Sequence, residues 1–377
     1  MKNPIKYLGN ELKYLKKVLN SESWSATSGS WCQALEKEFA KKFNAKYAIA
    51  MNSGTATLHS ALVACGVKQG DEVITPALSP FMCTAAILHA KGTPVYADID
   101  ERTFTIYPQD ICEKITRKTK SIIAVSLYGL SPDMPQINGI ASKFKIPVIE
   151  DNAQHLGQLT GDMASYSFES SKHLSCGEGG ILITNDSDKA KIARKLAGHG
   201  FKNLEASEGR IRLNQSIYQD PKYKRHDMVG YNYRMSEFSA AIALAQLERI
   251  NKIVSLREES AGIFLNIIDE CDYLNPQLTP WGYWNSCYTL AVTYDRKDIS
   301  WQDFRKEYIK QGGDGIYAAW SLPYQEPAIK GIKYCGTPCP IAEKLQPKIM
   351  QFKTNYRNLK LAQLKAKALK RTIECLK

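Results

Sequence analysis

This sequence predicts an α/β fold built on a mostly parallel, doubly wound sheet, and three observations predict it. Short apolar runs alternate with helical patterns through the first half of the chain, the spacing of strand–helix–strand units. Several of those runs are continuous and β-branched rather than alternating, as strands buried on both faces require. After Arg234 the texture changes to long helical periodicity with few strand-like patches, which marks a second, smaller α+β unit.

In chain order, helices are expected at 10–19 and 32–43, beside the large unit. Strands follow at 47–51, 72–76, 94–98, 121–127, 147–151, 164–168 and 180–184. Between them helices are expected at 55–65, 82–89, 108–115 and 135–144. One long helix, 236–270, opens with Ser-Glu-Phe-Ser and bridges to the second unit. That unit carries strand patches at 288–293 and 315–319 and a helix at 301–311. A basic helix over 353–377 closes the chain. The domain division is placed at 1–250 and 251–377.

Composition narrows the classes of function. The 377 residues are 44% hydrophobic and 23% charged, the balance of an ordinary globular protein. No apolar run approaches the roughly 20 residues that span a bilayer. Met1-Lys2-Asn3-Pro4-Ile5-Lys6-Tyr7 lacks the apolar core of a secretory leader, so the expected compartment is the cytoplasm. Ten cysteines are scattered without metal-finger spacing, which points to free thiols and no metal site. The net charge of +12 suits either a polyanionic partner or a phosphorylated small substrate. Part of it lies between Lys353 and Lys377, where eight Lys or Arg face the single Glu374. That stretch reads as a solvated helix face packed by Leu361, Leu364 and Leu369. Aromatic residues are not interleaved with its charges as a nucleic-acid surface requires, so no nucleic-acid partner is expected.

Four segments carry chemistry. The first is Ser167-Phe-Glu-Ser-Ser-Lys172-His-Leu-Ser-Cys-Gly-Glu-Gly-Gly180. A lysine in a cleft beside buried strands is either a solvated side chain or a nucleophile, and carbonyl addition needs its amine unprotonated. The second is Pro147-Val-Ile-Glu-Asp151-Asn-Ala-Gln154, a strand ending in an acid. Ligands of α/β sheets sit at such strand ends, so Asp151 faces a cationic ligand group or caps a helix. The third is Asn52-Ser-Gly54-Thr55-Ala-Thr-Leu58, a small polar turn opening a helix, which is a phosphate seat or a plain cap. The fourth is Gly230-Tyr-Asn232-Tyr-Arg-Met-Ser236, where a polar pair among aromatics reaches a ligand or satisfies loop backbone.

Taken together, in this order and spacing, the four segments resemble the DegT/DnrJ/EryC1/StrS family of sugar aminotransferases, from about Leu8 to about Ile250 and more weakly beyond. The resemblance implies a fold-type-I enzyme with pyridoxal 5'-phosphate as cofactor. It implies that Lys172 is the Schiff-base lysine, Asp151 the acid under the pyridine nitrogen and Gln154 the residue near the ring hydroxyl. Gly54, Thr55 and Ser167 match the phosphate-binding positions. Asn232 matches a residue supplied to the phosphate by a neighbouring subunit, which implies a homodimer with shared active sites. The implied reaction moves an amine from glutamate, or glutamine, to a keto-sugar. The usual acceptor is a nucleotide-linked 4-keto-6-deoxyhexose on the way to an amino sugar of a surface polysaccharide or glycosylated metabolite.

Some relatives carry histidine in place of the lysine and act as dehydratases. Here His173 adjoins Lys172, and five residues from Ser167 lands on Lys172, the transaminase register. Two segments depart from the family. Pro80, in Thr75-Pro-Ala-Leu-Ser-Pro80-Phe81, stands where a ring-stacking aromatic is usual, leaving Phe81 as substitute or core. Trp320-Ser-Leu-Pro-Tyr-Gln-Glu-Pro327 lacks the family's histidine. Two other readings stay open: the same chemistry on a free keto-sugar acid or cyclitol ketone, and a non-catalytic pyridoxal-phosphate-binding regulator or polyanion binder.

Overall fold

The computed structural model describes residues 8–211 and 213–377, so the segment Met1 to Tyr7 lies outside the described residues. Helices α1 (Glu11–Asn20) and α2 (Trp31–Lys42) precede the first strand. Strands and helices then alternate: β1 (Tyr47–Met51), α3 (Gly54–Ala64), β2 (Glu72–Pro76), α4 (Phe81–His89), β3 (Thr93–Ala97), α5 (Pro108–Lys114) and β4 (Thr119–Val125). They continue with α6 (Met134–Phe144), β5 (Val148–Asp151), β6 (Met163–Ser167), β7 (Gly180–Thr184) and α7 (Ser187–Ala197). Every strand expected in this half is present, with ends moved by a residue or two. Helix α7 has no counterpart among the expected elements.

These strands form one sheet of order β1-β7-β6-β5-β4-β2-β3. β7 pairs antiparallel with both β1 and β6, while the pairs among β2 to β6 are parallel. Only β7 therefore runs against the rest. Its residues Gly-Ile-Leu-Ile-Thr are all buried, the continuous apolar run that a strand covered on both faces needs. Helix α3 is buried on almost every side, and its Ala-rich sequence has little amphipathic character, as a helix enclosed by other elements should. Side-chain caps start many of the helices: Ser53 on α3, Asp133 on α6 and Asp186 on α7 accept from the first turn. Each is worth about 1 kcal/mol.

Beyond α7 come α8 (Gln215–Gln219), α9 (Glu237–Leu247) and α10 (Ile250–Ile268), so the single helix expected over 236–270 is two. Arg249 leaves the helical region at φ −116°, ψ 7°. Tertiary contacts hold the break. Glu248 accepts from Asn10 Nδ2 at 2.8 Å and from the Tyr14 hydroxyl, and Arg249 reaches Glu11 at 3.4 Å. α9 lies on α1 and α2, whereas α10 turns away to pack on the C-terminal helix. Apolar periodicity runs through the corner and conceals it.

The remaining elements are β8 (Leu274–Pro276), β9 (Leu290–Tyr294), α11 (Trp301–Lys310), β10 (Tyr317–Ala318), α12 (Pro340–Leu345), β11 (Ile349–Phe352) and α13 (Leu359–Cys375). A second sheet, β10-β11-β9-β8, is antiparallel throughout. Two expectations are corrected here. The terminal helix starts at Leu359, after strand β11, because Asn358 caps it by accepting from Leu361 N. Its buried face is Ala362, Ala366, Leu369 and Ile373, while Leu364 is exposed. Small residues on that face let α13 approach α10 closely.

Two buried charges join distant segments. Arg194 of α7 donates to both carboxylate oxygens of Glu36 on α2, at 2.9 and 3.0 Å. Asp98, just after β3, accepts from Ile341 N and Ala342 N at 2.9 Å each, so it caps α12 across more than half the chain. All ten cysteines are free thiols. Among the described residues no helix is long and apolar enough to cross a membrane.

Removing one member of a buried pair strands the other. Arg194→Met, which leaves Glu36 unpaired in the interior, is expected to lower unfolding free energy by about 3–5 kcal/mol. A denaturant titration reads this directly, and an unmoved midpoint contradicts the stabilising role.

Candidate active site

The parallel strands all end at one edge of the large sheet, and that edge carries the polar residues singled out in the sequence. Asp151 is the last residue of β5 and Ser167 the last of β6. Helix α3 begins beside them, directly after β1. Lys172 follows β6 in the loop that leads to β7.

The turn before α3 is steric in origin. A Cβ on Gly54 would lie 2.9 Å from Ser167 Cβ, and a Cβ on Gly180 would lie 2.7 Å from the Ser53 carbonyl. Both positions demand glycine, because β6, β7 and the helix start crowd together. Ser53 Oγ accepts from Ala56 N at 3.1 Å, and Thr57 N bonds Ser53 O at 3.2 Å. The N–H groups of Gly54 and Thr55 stand in the first turn, ahead of the helix's own ladder. Thr55 is half-buried, and Ser167 Oγ stands against Gly54. The result is a small concave seat of N–H and hydroxyl donors at the positive end of a helix, which suits an anion.

Asp151 is 4% exposed. Its Oδ1 accepts from Ala153 N at 3.0 Å, and its Oδ2 accepts from the Cys83 thiol at 3.2 Å. Burial raises this carboxyl above the usual range, an effect that the two donors and the charge of Lys172 offset only in part. Burial, then the neighbouring Asp151, keeps the Cys83 thiol well above its ordinary value, so it serves as donor. A buried acid so placed is suited to a cationic ring nitrogen. Gln154 sits three residues on, its Oε1 accepting from Tyr128 N at 2.7 Å, which leaves its NH2 to donate elsewhere. Tyr128 itself lies at φ 62°, an unusual left-handed conformation for so large a residue.

Lys172 and His173, neighbours in sequence, take separate directions. Lys172 Nζ lies 4.7 Å from the centre of the Tyr288 ring. His173 is buried, and its Nε2 meets the Ser286 carbonyl at 2.9 Å. Burial, then the charge of Arg257, holds its imidazole well below its ordinary pKa, so it is neutral. The histidine is thus a structural tie, and the lysine is the group with a polarisable surface in front of it.

Asn232 lies elsewhere in sequence but close in space. Its carbonyl accepts from Asn52 Nδ2 at 3.3 Å, beside the turn that opens α3. Its side chain is exposed, between Tyr231 and Tyr233, whose rings stack at 5.0 Å. The structure therefore brings Lys172, Asp151, Gln154, Ser167, Gly54 and Thr55 to one edge and sets Asn232 on the surface next to it. Phe81 opens α4, is half-buried, and belongs to none of the apolar clusters of the described residues, so it is not core. Cys83, Tyr288 and Arg257 were not foreseen. Nothing local to them signals a role, since their partners lie 68, 117 and 86 residues away.

Residues 7–364 match the sequence model of the DegT/DnrJ/EryC1/StrS aminotransferase family. A GDP-perosamine synthase of Escherichia coli O157:H7 is 35% identical over 264 residues, 68% of this chain and 68% of that protein. An aminotransferase from Psychrobacter cryohalolentis, of known X-ray structure, superposes with a TM-score of 0.86 at 26% identity, covering 97% of this chain and 96% of that one. NtdA from Bacillus subtilis, crystallised with bound cofactor PMP, superposes at 0.81 with 26% identity, over 97% and 81% of the two chains.

Gly54→Ala tests the seat. The added Cβ forces Ser167 aside, an overpacking expected to cost about 1–3 kcal/mol. Affinity for pyridoxal phosphate, followed by quenching of intrinsic fluorescence, is expected to fall about tenfold or more, the equivalent of about 1.4 kcal/mol. Unchanged affinity removes the turn from the site.

Proposed function

The chain belongs to the DegT/DnrJ/EryC1/StrS aminotransferase family, and on that premise we propose that it transfers an amino group from an amino-acid donor to a nucleotide-linked keto-sugar. The acceptor class follows the relatives, among them a GDP-perosamine synthase and a UDP-2-acetamido-2-deoxy-3-oxo-D-glucuronate aminotransferase of Pseudomonas aeruginosa. The enzyme depends on pyridoxal phosphate. Glutamate as donor, and a 4-keto-6-deoxyhexose as acceptor in surface-polysaccharide or metabolite biosynthesis, are the finer parts of the reading.

The residues fit that cofactor on geometric grounds. The donor seat at Gly54 is one that a side chain would fill, and a buried carboxylate stands at the strand end beside it. The observation that carries the reading is the gathering at one sheet edge of buried Asp151 at the end of β5, Lys172 in the loop after β6, and the Gly54 turn against Ser167. Bound pyridoxal phosphate supplies an aldehyde carbon for the amine and a ring that takes up the electron pair released at Cα.

The protein supplies the rest. Lys172 Nζ would hold the cofactor through its aldehyde carbon and, once free as an amine, would serve as the base and acid that moves a proton. Asp151 holds a proton on the ring nitrogen, because an ionised carboxylate favours the charged form of the cation beside it. Cys83 and Ala153 N orient that carboxylate. Gln154 donates to the ring's oxygen substituent from a position fixed by Tyr128 N. Gly54 N, Thr55 N and Ser167 Oγ bind the phosphate.

Asn232 completes the phosphate site from a second copy of the chain, so the working unit is a homodimer in the cytoplasm. Its exposed side chain beside Asn52 suits that role. We place the domain division at 1–250 and 251–377, where α10 begins. Leu322, Ile329, Cys339 and Leu345 nonetheless pack on the core of the first part.

Borohydride treatment of the enzyme loaded with pyridoxal phosphate is expected to fix the label on the peptide containing Lys172, and Lys172→Ala to abolish both label and amino transfer. A rate loss of several powers of ten is expected, as for removal of a covalent catalyst. Label on another lysine, or full activity in the variant, rejects the assignment.

A further inference from the structure

Arg257, on α10, is 3% exposed. Among the described residues no carboxylate pairs with it. Its Nη1 donates to the Tyr288 carbonyl at 2.7 Å, and its Nη2 donates to the Ser171 carbonyl at 2.8 Å and the Lys172 carbonyl at 3.2 Å. Burial pulls its pKa down to about 10, so the guanidinium is still charged at neutral pH. A buried cation answered by carbonyl dipoles and one aromatic face, with no carboxylate, is an expensive way to tie a loop.

What this cation ties is specific. Two of its three carbonyl partners belong to the residues that meet at the amine, Lys172 and Tyr288, whose ring faces Lys172 Nζ at 4.7 Å, and the third belongs to Ser171, next to the lysine. Arg257 Cζ lies 5.6 Å from the centre of that ring. Tyr288 Oη is 2.8 Å from Ser171 Oγ, closing the arrangement from the other end. The planar fork reaches carbonyls of both chain segments at once, which an ammonium on a flexible stem does not do. Ser171 and Lys172 follow the large sheet, and Tyr288 enters β9 of the small one, so the fork also joins the two sheets at the lysine.

We propose that Arg257 is a positioning residue for Lys172: its guanidinium fixes the lysine loop against Tyr288 and so sets where the amine stands for attachment of the cofactor. This rests on the reading of Lys172 given above. Among the described residues the Arg257 guanidinium hydrogen-bonds only to backbone carbonyls. It acts on attachment through the lysine, and leaves the phosphate seat and Asp151 as they are.

The test separates attachment from binding. Pyridoxamine phosphate carries the same ring and phosphate but has no aldehyde, so its binding involves no covalent bond to Lys172. In Arg257→Met, the borohydride-trappable fraction of pyridoxal phosphate is expected to fall about tenfold, the loss of hydrogen bonds to a charged group. Pyridoxamine phosphate affinity is expected to stay within about threefold of wild type. Tyr288→Leu, which removes the ring and leaves Arg257, is expected to give the same split and serves if Arg257→Met fails to fold. Equal loss of both affinities, or attachment at the wild-type level in both variants, overturns the proposal. A wild type that traps no cofactor at Lys172 sinks the functional reading, and this inference with it.

Discussion

Excluding water from a carboxylate is costly unless donors replace the lost hydration. Asp151 is where this fold meets that constraint. The residue sits at the end of β5, inside the sheet, with a backbone N–H on one oxygen and a thiol on the other. Both donors exist only because neighbouring elements are in place: Ala153 follows the strand, and Cys83 comes from α4. The parallel sheet provides the geometry, since it ends β5 and β6 at one edge beside the start of α3. The candidate site is thus the edge of a sheet whose buried acid is held by other parts of the same sheet and its helices.

Close packing sets the second requirement. Where α3 starts, β6 and β7 come so near that Gly54 and Gly180 have no room for a side chain. The absence of Cβ atoms leaves the helix's first N–H groups open to a ligand, and the same crowding rigidifies the seat. A rigid donor set loses little freedom when a phosphate arrives, which is how a few backbone groups achieve useful affinity.

Buried polar ties recur through the molecule. Glu36 with Arg194, Asp98 with the start of α12, and Arg257 with three carbonyls each join segments far apart in the chain. Such contacts add little net stability against hydrophobic substitutes, but they are directional. They fix which segment lies where, and apolar packing alone tolerates alternatives. Arg257 applies that directionality at the loop that carries the lysine.

The sequence by itself determined the alternating strands and helices of the first half, because buried strands and capped helices leave local signatures of run length, periodicity and cap residues. Its resemblance to a known family also grouped the small polar segments of Lys172, Asp151, Gln154 and the Gly54 turn, each of which read alone was equally a cap, a loop or a solvated side chain. Tertiary structure alone decided the corner at Arg249, where Asn10 and Tyr14 take up Glu248 while the apolar periodicity runs on unbroken. It alone placed β11 ahead of the terminal helix, buried the alanines of α13 instead of Leu364, and split Lys172 from His173. It alone brought Cys83 to Asp151 and Arg257 to the lysine loop. The physical reason is common to these cases: a side chain's partner 68 or 86 residues away leaves no trace in local pattern. Only the packed chain selects it.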